Sequence, residues 1–273
     1  MRRLDDPHAP AAEHVSRFHA DGHATLRGLL DPEELRSLEP ALSAAVEARN
    51  DLRGRPWSER TTYERAFVQV MNLWRDDDAA RQIAWSPRLA STAAALLGVE
   101  GVRLYHDQAL YKEPAGSRGG QTPWHVDQYY WPLASDRSIT AWIPLVDVPA
   151  EMGPLAFATG SQRFEEGRDL AISDESEDVC GRALADAGFE RTEAPFALGD
   201  VSFHLGWTFH CAPPNRSAAV RKVMTVIYVD AEMRVAEPTN ANQRADLETW
   251  LPGLAPGDVA ASPINPLLWP PAC

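Results

Sequence analysis

The densest group of metal-capable side chains in the sequence is Trp124-His125-Val126-Asp127. In an extended segment, residues two apart point to the same side, so His125 and Asp127 can present an imidazole and a carboxylate together. A third ligand is on offer at His210, which follows the strand-like run Val201-Ser202-Phe203-His204-Leu205-Gly206-Trp207-Thr208-Phe209. Two imidazoles and one carboxylate on one side of a metal leave the opposite positions open. Non-haem Fe(II) centres use that donor set, and their open positions take a bidentate co-substrate and O₂. Taken alone, a His-x-Asp pair is more often a structural hydrogen-bonding pair.

The downstream sequence shifts that balance. His210-Cys211-Ala212-Pro213-Pro214-Asn215-Arg216-Ser217 leads into Arg221, which opens the apolar run Val223-Met224-Thr225-Val226-Ile227-Tyr228-Val229. A guanidinium at the head of such a strand is costly to bury without an anionic partner. A carboxylate gripped by two parallel N–H bonds suits it best, and 2-oxoglutarate carries one at its far end. A structural Asp or Glu would serve equally well. Asn215, behind two prolines, reads as the turn that aims Arg221. Tyr129, Tyr130 and Trp131 follow the His-x-Asp pair directly and read either as an aromatic wall shaping a substrate pocket or as core. His106 and His204 read as core or surface histidines rather than ligands.

These residues need a scaffold, and the texture from Val102 onward supplies one. Alternating or β-branched runs at 102–112, 138–148, 154–158, 200–209 and 221–230 are separated by punctuation such as Glu151-Met152-Gly153-Pro154 and Pro213-Pro214-Asn215. Short strands without regular helices between them point to an antiparallel barrel or jelly roll rather than a parallel α/β sheet. Upstream, 8–20 reads as a helix and 23–30 as a strand. Asp31-Pro32-Glu33-Glu34 then caps a helix to about Arg49, with Leu35, Leu38, Leu42 and Val46 on one face. A further helix is expected near 86–97, ending at Gly98. Helices before strands place a helical layer, 8–98, against the barrel core at about 102–230. Residues 163–196 are acidic and read as an excursion between barrel strands or a lid. The Pro-rich tail 236–273 reads as an irregular wrap.

In order along the chain, Leu110-Tyr111-Lys112-Glu113-Pro114, His125-Val126-Asp127-Gln128-Tyr129-Tyr130-Trp131-Pro132, Ala141-Trp142, Glu151-Met152-Gly153-Pro154-Leu155-Ala156-Phe157-Ala158-Thr159-Gly160-Ser161 and His210 to Arg221 resemble the phytanoyl-CoA dioxygenase-like family of Fe(II)/2-oxoglutarate oxygenases. The resemblance implies an α+β protein with a double-stranded β-helix (jelly-roll, cupin-like) core flanked by N-terminal helices. It implies iron on His125, Asp127 and His210, and Arg221 on the distal carboxylate of 2-oxoglutarate. Gln108 and Trp142 match positions that line the co-substrate. A hydroxyl residue that some members carry two places after the distal His is Ala212 here, so a hydrogen bond must come from elsewhere. Thr140 is the candidate, because it should share a strand face with Trp142.

The implied cofactors are Fe(II), 2-oxoglutarate as co-substrate, and O₂. The implied reaction is oxidation of a small or medium organic molecule, with hydroxylation as the default and release of succinate and CO₂. Desaturation, cyclisation or epimerisation are the alternatives within that chemistry. Halogenation is not expected, because halogenating relatives lack the carboxylate of Asp127. A cupin-like metal isomerase or hydrolase on a similar barrel is the competing class, and it has no need of Arg221.

Composition bounds the rest. A length of 273 residues fits one large domain. The net charge of −13 argues against a grip on nucleic acid, which needs a basic face. A local basic patch around Arg216, Arg221 and Lys222 is left open by the net charge. Cys180, Cys211 and Cys273 are too few and scattered for a disulfide framework or zinc cluster, and an odd count suits a reducing compartment. No apolar run is long enough to span a membrane, and no apolar stretch follows Arg2-Arg3 as a secretory signal would require. The expectation is a cytoplasmic enzyme whose partner is a small molecule, neither nucleic acid nor membrane, with oligomeric state left open.

Overall fold

The structure is a computed structural model that describes residues 3–115 and 118–271, so Cys273 lies outside the described residues. Among those residues the larger sheet contains β1 (His23–Leu26), β2 (Val68–Met71), β3 (Val102–Tyr111), β5 (Ser138–Pro144), β8 (Val201–Leu205), β10 (Val223–Asp230) and β11 (Leu267–Trp269). Its order is β1-β8-β5-β10-β3-β11, with β2 also paired to β3. The smaller sheet runs β4 (Thr122–His125), β9 (His210–Ala212), β6 (Ala156–Ala158), β7 (Arg191–Glu193). All the pairings are antiparallel, and the two sheets form the jelly roll.

Strand alternation assigns the two faces of the larger sheet. Leu104, Ala109, Ile139, Ala141, Phe203, Met224 and Val226 point outward into the main core, where they meet helices. Those helices include α2 (Pro32–Ala48) and α5 (Pro87–Leu97). Asp31 caps α2 by accepting from the Glu33 N–H, and Leu35, Leu38, Leu42 and Val46 are its buried stripe. α5 starts at the Ser86 cap and ends at Gly98, whose φ of 69° lies in the left-handed region. The opposite face, with His106, Gln108, Thr140, Trp142 and Thr225, looks toward the smaller sheet across a cavity.

A β-bulge breaks the alternation in β3. His106 pairs with Ile227 and Leu104 with Tyr228, so Tyr105 is the extra residue. Tyr105 and His106 consequently both reach Trp131, with ring centroids at 5.6 and 6.1 Å.

Several expectations need correcting. The 8–98 layer also contributes β1 and β2 to the sheet. The tail is not irregular throughout: it forms α7 (Ala241–Trp250), and β11 pairs with β3. Sequence periodicity missed α7 because its apolar residues are few; tertiary contacts hold it, with Asn240 and Gln243 donating to the Tyr129 carbonyl. The 163–196 stretch needs no such correction: it is the expected excursion between strands, here β6 and β8, and it carries α6 (Asp174–Asp186) and β7. Finally, Arg216, Arg221 and Lys222 form no basic patch, since Arg221 is buried and Lys222 pairs with Glu39 at 2.5 Å.

Candidate active site

His125 ends β4 and His210 begins β9, and the two residues are register partners. Asp127 is not on the strand: Val126 is extended (φ −124°, ψ 135°), and Asp127 opens a turn of 3₁₀ helix, Asp127–Tyr130. One extended residue suffices to bring the carboxylate back to the side of His125. The Nδ1 atoms of His125 and His210 lie 2.7 and 3.0 Å from the carbonyls of Pro123 and Thr208. Such bonds put the proton on Nδ1 and leave Nε2 with its lone pair toward the cavity. Asp127 Oδ1 is 3.7 Å from His125 Nε2 and 3.6 Å from His210 Nε2. One ligand atom from each residue falls within 4.8 Å of the others, so the three fit a single metal ion.

The electrostatics agree with that fit. Burial pushes both imidazoles toward the neutral form, the one that binds metal. Burial alone would raise the Asp127 carboxyl, but the three surrounding histidines hold it well below the usual carboxylate range. Its other oxygen, Oδ2, accepts from Thr140 Oγ1 at 2.8 Å and lies 3.2 Å from His204 Nε2. Thr140 was expected to serve the co-substrate; its hydroxyl proton is instead committed to Asp127.

Arg221 projects into the same cavity from the approach to β10, where it bridges Lys112. It is 2% exposed, and among the described residues it has no carboxylate partner. Nη1 donates to the Gly153 carbonyl, Nε has no partner, and the guanidinium sits 5.5 Å from the Trp142 ring centre. Burial lowers its pKa to about 9. Gly153 has φ 71°, and a Cβ there would lie 2.2 Å from the Pro213 carbonyl oxygen, so glycine is required where the carbonyl meets Arg221. Asn215 fixes the turn, with Nδ2 donating to the carbonyls of Lys112 and Ala219. A buried guanidinium with no carboxylate beside it among the described residues could accept an anionic ligand.

The cavity holds about 860 Å³ counting its open mouth. Gln108 lines it, and a relay orients its amide: Tyr63 donates to Gln69 Oε1, and Gln69 Nε2 donates to Gln108 Oε1 at 2.6 Å. The Gln108 amide oxygen is thereby committed to Gln69. Trp142, Tyr130 and Trp131 also line it, but Tyr129 does not. The 3₁₀ turn swings Tyr129 away, and its hydroxyl accepts from Asn242 on α7. Sequence reading missed Thr122, which is the cross-strand partner of Ala212 and brings a hydroxyl beside it, positioned by Lys112 Nζ at 3.1 Å. It also missed Tyr63, Ile172 and Asp246 in the wall. Burial pushes the Cys211 thiol up to about 12, which favours the protonated form.

The phytanoyl-CoA dioxygenase (PhyH) family model matches residues 18–223. Among solved structures, the non-heme alpha ketoglutarate dependent carbocyclase SnoK from nogalamycin biosynthesis is similar at a TM-score of 0.76 and 26% identity, covering 96% of this chain and 99% of that one. The epimerase SnoN from the same biosynthesis gives 0.74 and 26%, covering 95% and 96%. A probable alpha-ketoglutarate-dependent hypophosphite dioxygenase from Stutzerimonas stutzeri is 24% identical over 160 residues, 57% of this chain and 54% of that protein. The match spans about half the length of that relative. With its jelly roll, its His-Asp-His set and these relatives, the chain belongs to the phytanoyl-CoA dioxygenase family of iron- and 2-oxoglutarate-dependent oxygenases.

Proposed function

We propose that this chain is an Fe(II)- and 2-oxoglutarate-dependent oxygenase acting on a small or medium organic molecule. His125, Asp127 and His210 hold the iron, and Arg221 pairs with the distal carboxylate of 2-oxoglutarate. The observation that carries this reading is one cavity with three converging metal donors and a buried guanidinium that has no carboxylate partner among the described residues. A metal isomerase or hydrolase has no use for that guanidinium. When bound, Fe(II) and 2-oxoglutarate would activate O₂ to remove hydrogen from a substrate carbon, with release of succinate and CO₂.

The protein's own part is positioning. The Pro123 and Thr208 carbonyls set the imidazole tautomers, and Thr140 with His204 keeps Asp127 Oδ1 turned to the metal. Gln108, Thr122 and Trp142 line the co-substrate's path to Arg221, and Tyr130 and Trp131 form the aromatic wall that shapes the pocket and sheds water. Hydroxylation is the default outcome. Ring closure or epimerisation is the second reading, favoured by the likeness to SnoK and SnoN over nearly the whole chain. We read residues 1–273 as one catalytic domain, because α7 and β11 complete the wall and the sheet. Free, buried Cys180 and Cys211 suit a cytoplasmic setting.

The test is succinate release from 2-oxoglutarate by the purified protein. Turnover should require Fe(II) and stop with a chelator; no succinate with iron, ascorbate and O₂ present would sink the proposal. Thr140→Val, which keeps shape and loses the hydroxyl, should lower metal affinity or turnover about 10–100-fold, as loss of a partner behind a ligand does. An unchanged Thr140→Val enzyme would show that Asp127 needs no such support.

A further inference from the structure

The cavity wall opposite in charge to Arg221 is unassigned. Asp246 on α7 lines the cavity, and its Oδ2 accepts from the Tyr105 hydroxyl at 2.9 Å. Among the described residues no Lys, Arg or His lies within ion-pair distance of it. Burial raises its pKa to about 7 against the hydrogen bonds from Tyr105 and Trp250, and no charged group enters the balance. On β3, next to Tyr105 in the chain, His106 also lines the cavity; it is 1% exposed and makes no hydrogen bond to the described residues, with Nδ1 fully enclosed. Burial holds that imidazole neutral, at a pKa of about 3. Its ring is packed by Tyr105, Trp131 and Trp250 at 4.9, 6.1 and 5.8 Å. The bulge at Tyr105 makes this arrangement, since it lets consecutive residues serve the same wall.

Asp246 is half-buried, and its carboxyl group lines the cavity without a cation beside it among the described residues, whereas Arg221 is fully buried without an anion. The Tyr105 bond orients the Asp246 carboxyl but leaves its charge uncompensated. Tyr63, Phe67, Tyr130 and Trp131 line the same cavity, and aromatic ring faces attract a cation and repel an anion. The neutral imidazole adds no opposing charge and offers a hydrogen-bonding nitrogen. The chain's net charge of −13 also favours approach of a cation.

We propose that Asp246, in the cavity wall that His106 also lines, is the recognition site for a basic nitrogen on the substrate, so that the enzyme oxidises amine-bearing, largely apolar molecules. This rests on the oxygenase reading, in which Arg221 and the metal site of the same cavity take the co-substrate. An acidic substrate would meet a second carboxylate here and be rejected. A neutral alcohol could donate a hydrogen bond to Asp246 but would leave its charge unpaired.

The test uses protein loaded with Mn(II) and 2-oxoglutarate, which occupy Asp127 and Arg221. Matched 1-naphthylmethyl, 2-naphthylethyl and biphenylmethyl compounds, each as amine, alcohol and carboxylate, are titrated calorimetrically. At least one amine should bind about tenfold or more tightly than its alcohol, and the carboxylates weakest, a gap of about 1.4 kcal/mol or more. Asp246→Asn, which can still accept from Tyr105, should bring amine and alcohol to within about twofold. Equal binding of amines and alcohols by the wild type, tighter binding of alcohols or carboxylates, no binding by any amine, or a preference that survives in Asp246→Asn would overturn the proposal. The wild-type comparison decides the matter even if the variant misfolds. Failure of Mn(II) or 2-oxoglutarate to bind would instead strike at the oxygenase reading, and the amine preference with its loss in Asp246→Asn would still be scored on the unloaded protein.

Discussion

His210→Ala should abolish 2-oxoglutarate turnover and empty the metal site while leaving the fold intact. His210 begins β9, and its Nε2 is one of the three donors that converge. Two protein ligands would remain, with one coordination position given to water. Loss of a mere outer partner costs about 10–100-fold in metal affinity or activity, so loss of a ligand should exceed that range. The fold should survive because His210 faces the cavity: truncating it enlarges an existing space rather than opening a void in the main core. The measurement is iron or manganese content after dialysis, together with succinate release and the melting temperature. Full metal content in a well-folded His210→Ala would mean that His210 is no ligand. Metal held by His106 or His204 in its stead would end the assignment altogether.

Arg221→Ala should raise the 2-oxoglutarate concentration needed for half-maximal turnover by roughly two orders of magnitude or more. Removing one partner of a buried, hydrogen-bonded charge pair costs about 3–5 kcal/mol, because the other charge stays desolvated and unpaired. Arg221→Lys should recover part of the loss only, since an ammonium supplies charge without the two-pronged geometry. It would also forgo the contact with Gly153 and the stacking over Trp142. Metal binding should be untouched in both variants, which separates this effect from that of His210→Ala. Should Arg221→Ala keep its apparent affinity, another cation anchors the co-substrate, and buried Lys112, linked to Thr122, becomes the group to examine.

Much of this site was legible in the residues. Local signals survive in a bare sequence: the Asp31 cap, the stripe Leu35-Leu38-Leu42-Val46, and the strand runs that became β3, β5, β6, β8 and β10. So did the chemistry of His125, Asp127, His210 and Arg221, because metal donors and a guanidinium heading an apolar strand are conspicuous by type. Local periodicity does not carry register or the meeting of distant segments. Asp127 sits on a 3₁₀ turn rather than a strand, and Tyr129 is turned toward α7 while Tyr130 and Trp131 face the cavity. Thr140 was correctly placed beside Trp142, yet only the approach of the 3₁₀ turn to β5 decided that its proton goes to Asp127. Thr122 comes to lie beside Ala212 through cross-strand pairing 90 residues apart. Asp246 reaches the cavity through a weakly apolar helix held by Tyr129 and a bulge at Tyr105, neither of which leaves a pattern along the chain. The sequence alone determined which side chains could do the chemistry; cross-strand register and long-range packing decided which atoms face one another, because those contacts join residues that no short-range spacing relates.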